Sequence, residues 1–173
     1  SSVSNINIDV VATSIASSTV SDPIRNQITA LTAASSSSDL YNADQSGLGV
    51  GIVDNAGQPL RTVKVTSGKA VFPLVAKNNS TQANNYNLYA SFSAIDVANI
   101  MPTTKTGFSV KFYEGDASCQ TVGKQITNTG TLGAGASKTY CAVIDVDASQ
   151  QNFTTPIWFA IQSPVNQQAD SIK

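Results

Sequence analysis

Apolar and polar residues alternate along most of this chain, and the alternation predicts strands rather than helices. Ile6, Ile8 and Val10 fall on one face of residues 5–12, the pattern of a half-buried strand. Residues 47–54 and 60–66 read as strands too, and 70–76 as another, whose Pro73 predicts an edge position or a bulge. Tyr86, Leu88, Ala90 and Phe92 share one side of residues 85–93. Phe108, Val110 and Phe112 alternate in the same way, as do Tyr140, Ala142, Ile144 and Val146. Residues 157–161 are almost continuously apolar, as expected of a central strand.

One stretch stays open between two readings. Ile24, Ile28 and Leu31 fall at helical spacing behind Asp22-Pro23, but the threonines and the serine run at 35–38 fit an extended segment equally well. Elsewhere Gly, Pro and Asn clusters punctuate the pattern about every ten residues, which predicts an all-β, immunoglobulin-like β-sandwich with an N-terminal extension strand. The division expected is a strand and linker over 1–46 and a sandwich over 47–173.

Composition then narrows the function. Only 12% of residues are charged and the net charge is −1, so no concentrated basic patch is expected for nucleic acid or an anionic membrane. Arg61, Lys64, Lys69, Lys77 and Lys105 are dispersed over several predicted elements. The chain has no histidine and a single glutamate, Glu114, which excludes Ser-His-Asp, Cys-His and histidine-zinc arrangements. A hydrolase working with two aspartates is compatible with the sequence. No catalytic residue, metal or cofactor is otherwise indicated, and no stretch reaches the ~20 apolar residues that cross a bilayer.

The two cysteines, Cys119 in a polar loop and Cys141 in an alternating run, read as a disulfide in this Ser/Thr/Asn-rich chain; two free thiols are the other option. A disulfide implies an extracellular setting. The chain opens on Ser1-Ser2-Val3 without a leader, so export is an expectation drawn from the cysteines.

A series of short motifs runs through residues 67–137: Gly68-Lys69-Ala70-Val71-Phe72-Pro73, Lys77-Asn78-Asn79-Ser80, Tyr86-Asn87-Leu88, Gly107-Phe108-Ser109-Val110-Lys111-Phe112-Tyr113, Ile126-Thr127-Asn128-Thr129-Gly130 and Leu132-Gly133-Ala134-Gly135-Ala136-Ser137. Their order resembles the immunoglobulin-like conserved-repeat (DUF11-type) domains of bacterial and archaeal cell-surface proteins. The resemblance implies a sandwich with a structural or adhesive surface role and brings no catalytic residues. Many such repeats carry an Asp-rich loop after the "FY" strand that looks able to bind calcium. Here the loop holds only Glu114 and Asp116, so the disulfide is expected to pin it instead. Asp145 and Asp147, on one strand face, read as solvated strand-end acids, and Trp158 is assigned to core packing in the last strand.

The termini also resemble each other. Val10-Val11-Ala12-Thr13-Ser14 is similar to Phe159-Ala160-Ile161-Gln162-Ser163, and Asp22-Pro23-Ile24 to Asp170-Ser171-Ile172. This fits a segment of a tandem array, or a filament subunit whose Ile6, Ile8 and Val10 strand pairs with a sheet edge in another copy. The expected function is therefore a non-catalytic extracellular building block of a surface filament, S-layer or stalk, with copies of itself as partners. The alternative is an adhesin or carbohydrate-binding module using Tyr41, Tyr86, Tyr89 or Tyr113.

Overall fold

A computed structural model describes residues 6–13, 21–28, 38–49, 58–150 and 153–173, with the backbone alone for the first two segments. The chain divides into two compact units, Ser1–Ser35 and Ser36–Lys173. The first contains an antiparallel pair, β1 (Ile6–Thr13) and β2 (Ser21–Ile28). β2 settles half of the open stretch: residues 21–28 are extended, and 29–37 lie outside the described residues.

The second unit is an all-β sandwich. One sheet has the order β3-β4-β8-β6-β7 and the other β10-β9-β5, with all described pairings antiparallel. The strands are β3 (Ser38–Asn42), β4 (Lys69–Asn78), β5 (Asn87–Ser91), β6 (Phe108–Gly115), β7 (Val122–Ile126), β8 (Ser137–Val146), β9 (Trp158–Gln162) and β10 (Ala169–Ile172). The core lies between the sheets. Phe72, Phe112, Tyr140, Ala142 and Ile144 come from the larger sheet, and Leu88, Phe159, Ile161 and Ile172 from the smaller. Phe159 sits between the two, its ring 5.3 Å from Phe72 and 6.2 Å from Phe112.

Four sequence expectations are corrected. The division at residue 46 is too late, because β3 pairs with β4 in register Leu40–Ala76 and belongs to the sandwich. Among the described residues the predicted strand at 60–66 has no ladder beyond the isolated bridge Thr66–Lys69; Val63 and Val65 pack against the core without joining a described sheet. Of the strand predicted at 47–54, residues 50–54 lie outside the described residues, and 47–49 form a turn and bend with Gly47 at φ +83°. Pro73 stands in an inner strand, between β3 and β8. The physical reason for expecting an edge nonetheless survives locally. The register Asn42–Leu74 closes β3, and Ala43 N–H donates to the Pro73 carbonyl at 2.9 Å. On that side the proline has no N–H to return, and the ladder stops there.

β9 is the central strand of its sheet, as its apolar run predicts. It is not the last strand, since β10 follows, and Trp158 is half-buried with the Lys173 ammonium 5.4 Å from its ring rather than within the core. Among the described residues there is no helix long and apolar enough to cross a membrane.

Candidate functional site

The chemistry of this chain concentrates in two constellations, and the first is the loop between β6 and β7. Cys119 and Cys141 are joined, with Cα atoms 5.7 Å apart. Cys141 occupies the outer face of β8, opposite Tyr113 of β6 and Pro73 of β4, so the bridge clamps the loop across the middle of the larger sheet. The loop is shaped to reach it. Cys119 has a φ of +48°, a strained left-handed conformation for a side-chain-bearing residue. Asp116 holds that shape: its Oδ1 accepts from Ser118 Oγ (2.6 Å) and from the N–H groups of Ser118 (2.8 Å) and Cys119 (2.9 Å). The Ser118 hydroxyl, then these backbone donors, keep the Asp116 carboxyl below its ordinary value. Gly115 makes the approach possible, because a Cβ there would lie 2.2 Å from Cys141 Sγ.

Glu114, beside this loop, and Asp145 and Asp147, at the opposite end of β6 and β8, are engaged elsewhere. Glu114 pairs with Lys138 at 3.3 Å and Asp145 with Lys69. Asp147 caps its own turn by accepting from the N–H of Ser149 at 2.8 Å, which with the Ser149 hydroxyl lowers its carboxyl. Asp145 and Asp147 are therefore not brought together on a shared ligand. No group of three or more metal-ligating side chains occurs among the described residues.

The second constellation was not visible as such in the sequence. Asn78, named there only within the Lys77–Ser80 motif, has no solvent exposure and ties four motifs into one polar seam. Its Nδ2 donates to the carbonyls of Gln82 (2.8 Å), Leu132 (3.0 Å) and Gly133 (3.1 Å). Its Oδ1 accepts from Ser80 N–H, Ser80 Oγ and Tyr86 OH, at 3.0, 2.7 and 3.0 Å. Thr129 Oγ1 accepts from Tyr86 N–H at 3.0 Å, and Tyr140 OH donates to the Thr129 carbonyl at 3.0 Å. Asn128 continues the seam, donating to Asn85 and Asn87 and accepting from Gly130 N–H. The motifs around Asn78, Tyr86, Thr129 and Leu132 thus meet in space although spread over more than fifty residues. Burial pushes the Tyr140 phenol up to about 12.

The four candidate tyrosines do not make a platform. Tyr86 is fully buried, which removes it from any ligand face. Tyr41 and Tyr113 are half-buried in β3 and β6, with β4 and β8 between them, and Tyr89 lies in the other sheet. Arg61 pairs with Asp44 at 3.2 Å, and Lys105 donates to Thr155 Oγ1 at 2.7 Å, so the cations do not gather either. Open grooves are present among the described residues. One of about 830 Å³ is lined by Val63, Val65, Phe72, Phe153 and Ile157; a second of about 470 Å³ is lined by Leu88, Phe92, Phe108, Val110 and Ile126. Neither lining includes a carboxylate, so neither offers the paired acids a glycosidase needs.

Ile6, Ile8 and Val10 lie in β1, opposite Ile28, Asn26 and Ile24 of β2. Within this chain the described ladder partner of the expected assembly strand is thus its own hairpin mate.

Comparison with known proteins adds little. No protein family matches the sequence, and no curated protein does. Among solved structures, a FixG-related protein from Vibrio parahaemolyticus superposes with a TM-score of 0.37 at 15% identity, over 60% of this chain and 72% of that one. No feature of that protein is carried to this chain.

Proposed function

We propose that this chain is a non-catalytic, exported structural module that works in series with sandwiches of its own fold, as part of a surface filament, lattice or stalk. The observation that carries this reading is the disulfide loop. A buried covalent clamp, a carboxylate-capped turn and a glycine cleared for the sulfur all serve to fix one loop on one sheet. Such a clamp suits an oxidising compartment. Glu114 beside it is held in an ion pair, and Asp145 and Asp147 at the far end of the same strands in an ion pair and a cap, rather than aimed at a ligand. The order of surface-repeat-like motifs supports the same reading, since those motifs converge on a structural seam. Electron microscopy of the material isolated from its source is the test. Filaments or a lattice built from this chain are expected, and dispersed monomers under all conditions would sink the proposal.

A further inference from the structure

The likeness between the two ends of the chain acquires a spatial meaning once the strand pairing is known. In the β1–β2 pair, Val10 is opposite Ile24, Val11 opposite Pro23, Ala12 opposite Asp22 and Thr13 opposite Ser21. In the β9–β10 pair, Phe159 is opposite Ile172, Ala160 opposite Ser171, Ile161 opposite Asp170 and Gln162 opposite Ala169. Each of the four β9–β10 pairs has its counterpart in the β1–β2 ladder, with no slip of register. A slip of one residue would have put every apolar position on the wrong face, so the agreement is a demanding one. Arg25 and Lys173 extend the match by one position.

The correspondence reaches the positions that matter for packing. Phe159, Ile161, Asp170 and Ile172 share the row turned to the core, and all four are buried. Their counterparts Val10, Ala12, Asp22 and Ile24 likewise share one row of the β1–β2 ladder. Asp170 is an unusual residue to find there. Its Oδ2 accepts from the N–H of Leu40 at 2.8 Å and so ties β10 to β3, the first strand of the sandwich. An aspartate recurs at that place, as Asp22.

Pro23 fits the same scheme. Ser163 N–H donates to the Gln168 carbonyl, and the alternation of an antiparallel ladder then makes Ala160–Ser171 a pair without ladder hydrogen bonds. The position of Ser171 therefore needs no N–H toward β9, and a proline can stand at its counterpart. A two-stranded hairpin is marginal by itself and needs a sheet to cover its apolar face. The slot of this kind in unit Ser36–Lys173 is already filled by β9–β10.

We infer that β1–β2 is the closing hairpin of another sandwich of this fold, standing ahead of this one in a longer polypeptide, with Asp22 in the place Asp170 has here. The corresponding positions Asp22 and Asp170 are 148 residues apart and Val10 and Phe159 are 149 apart, the connection in the second hairpin being one residue shorter, which sets the repeat. This deepens the proposed structural role by saying how modules are joined, and it can fail separately.

The test is a full-length chain in which residues 158–173 are exchanged for residues 9–25. The exchanged chain is expected to keep one cooperative thermal transition, lowered by no more than about 15 °C. A scrambled hairpin of the same composition should abolish that transition. Asp22→Ala in the exchanged segment should lower its melting temperature as Asp170→Ala lowers that of the parent, while Asp22→Ala in the parent leaves the main transition in place. An exchanged chain that behaves like the scrambled one would overturn the equivalence. Intact mass and N-terminal sequence of the polypeptide isolated from its source should show a sandwich-sized stretch before Ser1. An N-terminus at Ser1 would overturn the upstream placement and assign the hairpin to a separate copy. A successful exchange combined with monomers in the microscope would leave the repeat standing and remove the proposed assembly role.

Discussion

Replacing both cysteines, Cys119→Ala with Cys141→Ala, should lower the melting temperature of unit Ser36–Lys173 by about 10 °C, and the size of that fall follows from the structure. The bridge spans 22 positions. On the chain-entropy model, closing a loop of that length stabilises the fold by about 3 kcal/mol. The unit has 138 residues, and its unfolding entropy near the midpoint is then about 0.3 kcal/mol per kelvin, which gives the 10 °C. Cys141 has no exposure and Cys119 only 8%, so the missing sulfurs also leave a small cavity that pushes the loss upward. Calorimetry on the parent and the double variant, both in non-reducing buffer, measures the difference; intact mass confirms that the parent lacks two thiol hydrogens. A fall of less than about 3 °C would refute the reasoning, because the Asp116 cap would then hold the loop without the bridge. Gly115→Ala is the companion experiment. Its Cβ meets Cys141 Sγ at 2.2 Å, so it should destabilise the parent and do much less harm once the cysteines are gone.

Three further outcomes are expected. Asn78→Ala strips partners from the buried Leu132 carbonyl and Tyr86 hydroxyl and should cost about 3–5 kcal/mol, read as a lower urea midpoint with the slope unchanged; a loss under about 1 kcal/mol would mean the seam is not holding the motifs together. Tyr140 titrates at about 12 when folded and near 10 when unfolded, so between those values the folded chain binds more protons and stability falls as pH rises. That loss, about 2–3 kcal/mol by pH 12, should vanish in Tyr140→Phe, and an unchanged alkaline limb in the variant would count against it. Asp39 is almost fully buried, and desolvation raises its carboxyl above the ordinary 3.8 despite the opposing Gly49 N–H and Lys77 charge. Its ionisation therefore costs stability as pH rises through the folded pKa. Asp39→Asn should raise the melting temperature at pH 7 and lose that gain toward pH 4; a gain independent of pH would show that the charge is not the cause.

What the sequence made legible and what it hid divide along a physical line. The apolar pattern located β4, β6 and β8, and a continuous apolar run located β9, because each puts large apolar residues on the core face, as Phe72, Phe112, Ile144 and Phe159 show. The same signal misled at 60–66, where Val63 and Val65 are drawn against the core but make no ladder with any described strand. Alternation reports burial, and hydrogen bonding needs a partner that the local sequence does not specify. The converse error hid β3 and β10. Ser38, Asp39 and Asn42 are buried in the first, and Asp170 and Ser171 in the second, so these strands carry no clear apolar alternation to mark them. A buried polar side chain is tolerable only when its partners are supplied. Those partners lie far off in the chain: Leu40 N–H for Asp170, and Leu132, fifty-four positions away, for Asn78. The disulfide was legible because its argument needs only residue types and compartment. The seam was not, although its pieces had been noticed as an ordered series of motifs. Their order could be read, and their reason, a single asparagine that holds three carbonyls and a tyrosine hydroxyl, exists only in the fold.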